Sequence, residues 1–179
     1  DAARRIEAAG TGYDQSQRWT FFDRKARKLI KNREADCASA CGAAAVMGGY
    51  PVDLGTTHAG FYTGSFRKAL TKAGFKAIKY TGRAQLKPGD FVLREGVHVA
   101  LVMDSRLTLF EASIDERGQI AGGKAGDQTG REVHLRSFYE YKWEWIIRPP
   151  ADPKPKAPAK ATVKKTVDQL AREVIAGKW

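Results

Sequence analysis

The sequence is poor in cysteine and contains no long apolar run. Its 179 residues include two cysteines, Cys37 and Cys41, so a framework of several disulfides is excluded. No hydrophobic stretch reaches the length of a transmembrane helix, and no segment resembles a signal peptide. Because the chain lacks an initiator methionine, we expect a processed or excised fragment of a longer product, which leaves an upstream signal open.

The motifs of nucleotide-binding proteins are also missing, since neither a phosphate-binding loop nor a dinucleotide fingerprint is present. The two cysteines are four residues apart in a predicted helix, near the upper limit of disulfide geometry. We therefore expect reduced thiols, as in a protein that works inside a cell or leaves it late. Their spacing lacks the two-residue gap of common zinc sites, so a site built from cysteines and histidines is a minor alternative.

Positive charge is in clear excess, with 31 Lys and Arg against 20 Asp and Glu and a net charge of +11. The densest basic cluster comprises Arg18, Arg24, Lys25, Arg27, Lys28, Lys31 and Arg33. Such a surface suits nucleic acid, an anionic membrane or the phosphate-bearing polymers of a bacterial wall, and it is equally typical of a solvated helix face. Charge alone does not choose among these partners.

The order of the predicted elements indicates an α+β fold, because helices come first and strands follow. The predicted helices span residues 1–9, 21–31, 37–47 and about 63–73. The predicted strands span residues 75–80, 91–93, 97–103, 107–113, 132–135 and 143–148. We expect an antiparallel sheet with the helices packed on it.

The composition changes abruptly after Arg148, where a run of Pro, Ala and Lys begins. We predict one domain over residues 1–148 and an extended linker over residues 149–165. The sequence predicts a short amphipathic helix over residues 166–179. By itself such a helix has nothing to bury its apolar face against, so we expect the truncated start of a second domain.

The residues with most chemical promise are Cys37 and His98. Asp36 is a good N-cap, so Cys37 would begin a helix, whose positive end lowers the pKa of a thiol. His98 begins an apolar strand, and a cysteine on a helix with a histidine on a strand can form a nucleophile and its base. The alternative is a small buried cysteine and a histidine satisfied in the core. Cys41 lies one turn deeper, where the helix end has less effect.

A partner for His98 follows from the predicted hairpin. If Asp104 and Ser105 form a two-residue turn, His98 lies opposite Glu111, which could hold the imidazole ring. A shift of one residue would place Ala112 there instead. The other histidines, His58 and His134, are expected to be structural or solvated.

Several motifs resemble the NlpC-type papain-like peptidoglycan hydrolases. They are Asp36-Cys37-Ala38-Ser39, Leu86-Lys87-Pro88-Gly89-Asp90, His98-Val99-Ala100 and Glu111-Ala112-Ser113. The segments 13–19 and 126–132, the latter containing Gly-Asp-Gln-Thr-Gly, resemble more narrowly the bacteriophage peptidoglycan hydrolases of amidase family five. Residues 166–179 are similar to the first helix of a cell-wall-binding repeat of certain phage lysozymes.

This resemblance implies a papain-like fold in which Cys37 is the nucleophile, His98 the general base and then acid, and Glu111 the third polar residue. It further implies that a cleft that binds substrate is bordered by Tyr13, Gln15 and Asp36. The family usually has serine where this chain has Ala38, a minor departure, and it needs neither metal nor cofactor.

The function implied is that of a phage endolysin cleaving an amide bond in the peptidoglycan stem peptide. We expect an N-acetylmuramoyl-L-alanine amidase, with a γ-D-glutamyl endopeptidase of the same fold as the alternative. Such a protein is made in the host cytoplasm and acts on the wall after release or export; we expect a monomer that is attracted to anionic wall polymers and has no specific nucleic-acid partner. A second class of function stays open, namely a non-catalytic basic module that binds wall polymer or nucleic acid.

Overall fold

The computed structural model describes residues 1–151, in which helices pack on an antiparallel sheet. The three helices are α1 (Ala2–Glu7), α2 (Cys37–Met47) and α3 (Thr63–Lys72), and a single 3-10 turn covers Arg83–Gln85. The strands are β1 (Gly12–Tyr13), β2 (Phe22–Asp23), β3 (Lys28–Leu29), β4 (Glu34–Ala35), β5 (Lys76–Lys79), β6 (Phe91–Arg94), β7 (His98–Val102), β8 (Thr108–Ala112), β9 (Val133–Ser137) and β10 (Trp145–Arg148).

Six strands form one sheet in the order β5-β10-β6-β7-β8-β9, and every neighbouring pair is antiparallel. Two small pairs stand apart from it: β1 lies parallel to β4, and β2 is antiparallel to β3. The α+β class and the antiparallel sheet predicted from the sequence are confirmed.

Helix α2 lies at the centre of the domain, with every residue from Cys37 to Val46 buried. Its side chains are almost all those of Ala, Gly, Ser and Cys, so α1 on one side and strands β7 and β8 on the other can approach its backbone closely. Because side chains alternate across a strand, Val99 belongs to the core around α2, whereas Ala100 belongs to a second core on the opposite face of the sheet.

The predicted helix over residues 21–31 is wrong, since this basic segment is the β2–β3 hairpin. The Asp23 carboxylate accepts hydrogen bonds from the backbone N–H groups of Lys25 and Ala26 and so closes the turn. Arg27 then adopts a positive φ of 55°, which a helix does not permit. Four residues of the basic cluster, Arg24, Lys25, Arg27 and Lys28, therefore lie on a hairpin rather than along one helix face.

The predicted linker and terminal helix fall almost wholly on residues 152–179, which lie outside the described residues. The division of the chain into these segments stays a prediction. Within residues 1–151, no helix combines the length and the apolar character needed to cross a membrane.

Candidate active site

The start of α2 is fixed by a capping box. Asp36 accepts a hydrogen bond from the backbone N–H of Ser39 at 2.7 Å, and the Ser39 hydroxyl accepts one from the backbone N–H of Asp36 at 2.8 Å. These reciprocal bonds satisfy the free N–H groups of the first turn. Cys37 is consequently the first residue of the helix, as the sequence predicts.

The Cys37 thiol is held against the strand that carries His98. Its sulfur accepts a hydrogen bond from the backbone N–H of Val99, the residue next to His98. The side chain of Cys37 is largely buried, and the residue is only 4% exposed. Burial, followed by the charge of Asp36, raises the pKa of this thiol to about 12 in spite of the Val99 bond. The resting form is therefore the uncharged thiol.

Cys41 lies one turn further along α2 and contacts the same residue of β7. Its thiol donates to the Val99 carbonyl at 3.8 Å, and the residue is fully buried. Burial raises the pKa of Cys41 well above its ordinary value, and the charges of Cys37 and Glu111 add to this effect. Both cysteines are free thiols, and together they anchor α2 to β7.

His98 and Glu111 are in direct contact, with His98 Nε2 3.0 Å from Glu111 Oε2. The predicted partner is right, but the predicted register is wrong. Leu101 pairs with Phe110, which places Glu111 opposite Ala100 rather than opposite His98. The shift is two residues, so both side chains stay on the same face of the sheet and meet diagonally.

Glu111 is fully buried, and its carboxylate is ringed by donors. Oε2 accepts hydrogen bonds from His98 and, at 2.7 Å, from the Tyr139 hydroxyl, while Oε1 accepts one from Arg136 at 3.3 Å. His134 Nε2 lies 3.9 Å from Oε1. Burial alone would raise the pKa of this carboxyl, but the His98 and Tyr139 bonds and the Arg136 charge outweigh it and lower the pKa.

The ionised state of Glu111 fixes the proton on the histidine. A carboxylate only accepts hydrogen bonds, so His98 Nε2 carries the hydrogen and donates it to Glu111. In the neutral ring, Nδ1 is then the unprotonated nitrogen that can accept a proton. Among residues 1–151 the Cys37 thiol makes no hydrogen bond to this ring. Cys37 contacts the backbone of Val99 in the core around α2, whereas the His98 side chain shares the face of Ala100 on the other side of β7.

Three aromatic residues between β9 and β10 surround His98. The Trp143 ring stacks on the imidazole at 5.9 Å and is buried, whereas the Tyr141 ring meets it edge-on at 5.6 Å and is 37% exposed. Tyr139 packs against both of them. The sequence prediction missed Tyr139, Arg136 and Tyr141; the only local signal was the alternation of aromatic residues after β9.

The predicted substrate-binding residues lie near Cys37. Tyr13 on β1 is buried, and burial and the Cys37 charge raise its pKa, so its phenol stays protonated. Its oxygen accepts a hydrogen bond from Gln15 Nε2 at 3.1 Å. Asp36 is buried as the helix cap and pairs with Arg18 at 3.1 Å, so its carboxylate is committed to the structure around Cys37.

A set of carboxylates fastens the glycine-rich loop 118–130 to β1 and β4, and we call Asp14, Glu34 and Glu132 the carboxylate clamp. Asp14 accepts from the Gly122 N–H at 2.8 Å, and Glu34 accepts from the Gly126 N–H. Glu132 accepts from the backbone N–H groups of Gln128 and Tyr13, at 2.7 and 3.0 Å. The Gly-Asp-Gln-Thr-Gly segment therefore helps to position Tyr13 beside the thiol.

The zinc alternative finds no support in the arrangement of the side chains. Across the described part of the chain, no three His, Cys, Asp or Glu residues are grouped so as to hold a metal ion. His134 contacts Glu111, and His58 lies near enough to Asp36 to oppose the rise in pKa that burial causes there.

The chain belongs to the endolysin-like domain family, whose sequence profile matches residues 2–107 and 109–175. No curated protein and no solved structure gives a significant match. Membership in this family implies a phage cell-wall lytic role, with a hydrolase that acts on peptidoglycan.

Proposed function

We propose that this endolysin-like domain is a cysteine hydrolase that cuts the amide bond between the lactyl group and L-alanine of the peptidoglycan stem peptide. The γ-D-glutamyl bond is the alternative target of the same machinery. The observation that carries the proposal is the His98–Glu111 hydrogen bond on a strand whose next residue, Val99, binds the sulfur of Cys37. These three residues supply the nucleophile, the base and the orienting carboxylate that the proposed mechanism needs.

The first step requires the His98 ring, on the first residue of β7, to reach the Cys37 sulfur. Nδ1 then takes the proton from the thiol as the sulfur attacks the carbonyl carbon of the scissile amide. Burial raises the pKa of Cys37, so the sulfur keeps its proton until the imidazole accepts it. The resulting imidazolium donates from Nε2 to the ionised Glu111, which stabilises the positive charge. The pair therefore works as nucleophile and general base rather than as a resting ion pair.

The tetrahedral intermediate then collapses. Its oxyanion lies at the N-terminus of α2, where the backbone N–H of Cys37 can donate to it. The C–N bond breaks as the imidazolium gives its proton to the leaving amine, and a thioester on Cys37 results. A water molecule, deprotonated by His98, hydrolyses this thioester and restores the thiol.

The remaining site residues suit a peptide substrate. The protonated Tyr13 hydroxyl has its hydrogen available for a substrate carbonyl, because its oxygen accepts from Gln15. The net charge of +11 attracts the domain to anionic wall polymers, an effect that salt weakens. Synthesis in the host cytoplasm and a papain-like arrangement of helix and sheet form part of the same proposal.

The test is mass spectrometry of purified muropeptides digested with the wild-type protein, Cys37→Ala and Cys41→Ala. Free stem peptides that begin with L-alanine indicate the amidase, and fragments cut after the glutamyl residue indicate the endopeptidase. We expect Cys37→Ala to lose at least about 1,000-fold in rate, because no other group replaces the nucleophile. The control Cys41→Ala removes a thiol from the same helix face and should retain most activity.

Two results would contradict the proposal. Full activity in Cys37→Ala would exclude a cysteine mechanism, and loss of activity only in Cys41→Ala would assign the chemistry to the other thiol. If walls of several bacterial types bind the domain and are not cut, the protein is a binding module instead.

A further inference from the structure

Arg94 is the cross-strand neighbour of the proposed catalytic base. In the β6–β7 pair, Arg94 lies directly opposite His98. Opposite residues of an antiparallel pair project from the same face, with Cβ atoms about 4.5–5.5 Å apart. The guanidinium and the imidazole therefore start from adjacent positions on one face of the sheet.

The Tyr141 ring connects the two side chains. The guanidinium carbon of Arg94 lies over this ring, 5.5 Å from its centroid, and the ring meets His98 edge-on at 5.6 Å. Stacking of a guanidinium on an aromatic face limits its motion and leaves its N–H groups free around the rim. Because Tyr141 is 37% exposed, Arg94 is held beside His98 against a ring that solvent reaches.

The other arginines on the six-stranded sheet are neutralised by buried carboxylates, and Arg94 is not. Arg136 pairs with Glu111 at 3.3 Å and Arg148 pairs with Asp90 at 2.7 Å. Within residues 1–151, no carboxylate forms an ion pair with Arg94. An arginine fixed in place beside a reaction centre, with its hydrogen-bond donors unused, is suited to bind an anion of the substrate.

We propose that Arg94, held by Tyr141, binds the free α-carboxylate of the γ-linked glutamyl residue in the stem peptide. This inference rests on the proposed function. The γ-linkage leaves that carboxylate uncoupled, one residue from the lactyl–alanine bond and directly beside the γ-glutamyl bond. A planar guanidinium can bind it through two parallel N–H···O bonds, whereas a carboxamide at the same position offers one acceptor and no charge.

The experiment compares two synthetic muropeptides that are identical except that the glutamyl α-group is a carboxylate in one and a carboxamide in the other. We expect wild-type kcat/KM to favour the carboxylate substrate by about 10- to 100-fold, the range of a charge-assisted bidentate contact. Arg94→Gln should abolish this preference, mainly by raising KM for the carboxylate substrate, and should leave cleavage of the carboxamide substrate within about 3-fold of wild type.

Three further variants separate recognition from general effects. Arg4→Gln removes the same charge from the exposed surface of α1 and should keep the preference. Arg94→Lys keeps the charge without the planar fork, so an intermediate preference is expected. Tyr141→Leu removes the ring that holds the guanidinium and should weaken the preference, and a thermal unfolding midpoint for each variant identifies any loss of fold.

The outcomes distinguish the two claims. Equal cleavage of both substrates by the wild type, or an unchanged preference in folded Arg94→Gln, overturns the carboxylate site and leaves the cysteine mechanism standing. If Arg4→Gln also loses the preference for the carboxylate substrate, that preference reflects the net charge of the protein. The proposed carboxylate site is then overturned as well. If the wild type cleaves neither substrate, the proposed function fails and this inference fails with it.

Discussion

Two buried glutamates lie in opposite electrostatic surroundings. Glu111 is 0% exposed and Glu34 is 1% exposed, so both are removed from water to the same degree. Glu111 accepts hydrogen bonds from His98, Tyr139 and Arg136, and its pKa is lowered. Burial, together with the charges of other carboxylates, raises the pKa of Glu34 to about 7 although the Gly126 N–H opposes the shift.

The difference shows that partners rather than burial decide the charge of a buried carboxyl. Within the described residues, Oε2 of Glu34 is buried without a hydrogen-bond partner, whereas both oxygens of Glu111 are satisfied. A carboxyl group with one unpaired oxygen among like charges keeps its proton more easily. Glu111 can therefore stabilise a positive charge on His98. Glu34 instead fastens the glycine-rich loop by accepting from the Gly126 N–H.

The largest effect is expected from exchanging each glutamate for glutamine. Glu111→Gln keeps the shape of the side chain and removes the charge that stabilises the imidazolium, so kcat should fall about 100-fold or more. Glu34→Gln keeps an acceptor for the Gly126 N–H. Below pH 7 it replaces a carboxyl that is largely protonated and uncharged, so kcat should stay within about 3-fold of wild type. Initial rates on purified muropeptides at pH 6, below the pKa of Glu34, measure both.

This pair of variants also tests the comparison itself. If both variants lose activity equally, the two carboxylates affect activity through the stability of the fold. Unfolding curves in urea would then show that both variants are destabilised. If Glu111→Gln is fully active, Glu111 does not orient His98.

The next effect concerns the backbone beside Glu34. A Cβ atom at Gly12 would lie 2.4 Å from the Gly126 carbonyl oxygen and 2.8 Å from Glu34 Oε2, closer than packed atoms allow. Gly12→Ala must therefore push the loop away from β1, and we expect a loss of about 2–3 kcal/mol in the free energy of unfolding. Gly48→Ala is the control, because its nearest neighbour would be 3.2 Å away. A stability loss in Gly48→Ala as large as that in Gly12→Ala would contradict this reason.

The pH dependence of stability should differ between wild type and Glu34→Gln. The pKa of Glu34 is about 7 in the folded protein, against an ordinary value of 4.5. Its contribution to stability is fully present below pH 4.5 and is lost as the pH rises through about 7, because the unfolded chain ionises first. Glu34→Gln has no such loss. Its free energy of unfolding should therefore rise relative to that of wild type by roughly 1–2 kcal/mol between pH 5 and pH 8, after allowance for solvent screening.

Urea unfolding of both proteins at these two pH values measures the difference. The charges of Glu132, Asp14 and Glu116 raise the pKa of Glu34, so the measured difference includes the relief of their repulsion. A constant difference across the range would mean that Glu34 is ionised throughout.

The start of α2 was predictable because its signals are local. Asp36 and Ser39 form the capping box within four residues, and Gly48 follows the last helical residue. The helix predicted over residues 37–47 has the same bounds in the structure. The hairpin over residues 21–31 was missed because its turn contains neither glycine nor proline, and the Asp23 side chain closes it instead.

The contact between His98 and Glu111 was predicted from a turn that does not exist. The loop between β7 and β8 has five residues, 103–107. The Asp104 carboxylate accepts from the backbone N–H groups of Arg106 and Thr108, and Leu107 adopts a φ of 61°. No sequence rule places leucine in that conformation. The predicted contact between His98 and Glu111 is nevertheless present, because a shift of two residues keeps both side chains on the same face of the sheet.

The donors around Glu111 could not be predicted, since they come from distant parts of the chain. Arg136 and Tyr139 are 25 and 28 residues away from it in sequence, and the β8–β9 register brings the first of them near. Tertiary structure alone determines which aromatic residue after β9 points its hydroxyl at the carboxylate.

The smallest effect concerns that hydroxyl. Tyr139 and His98 donate to the same oxygen of Glu111, so Tyr139→Phe leaves more of the negative charge for the imidazolium. The variant removes one of the contacts that lower the pKa of Glu111, so the acidic limb of the pH profile of kcat/KM should move upward by about 0.3–1 pH unit. Tyr141→Phe is the matched control, because among residues 1–151 its hydroxyl makes no bond to Glu111. Equal shifts in both variants, or a downward shift in Tyr139→Phe, would show that the Tyr139 bond to Glu111 does not set the acidic limb of the profile.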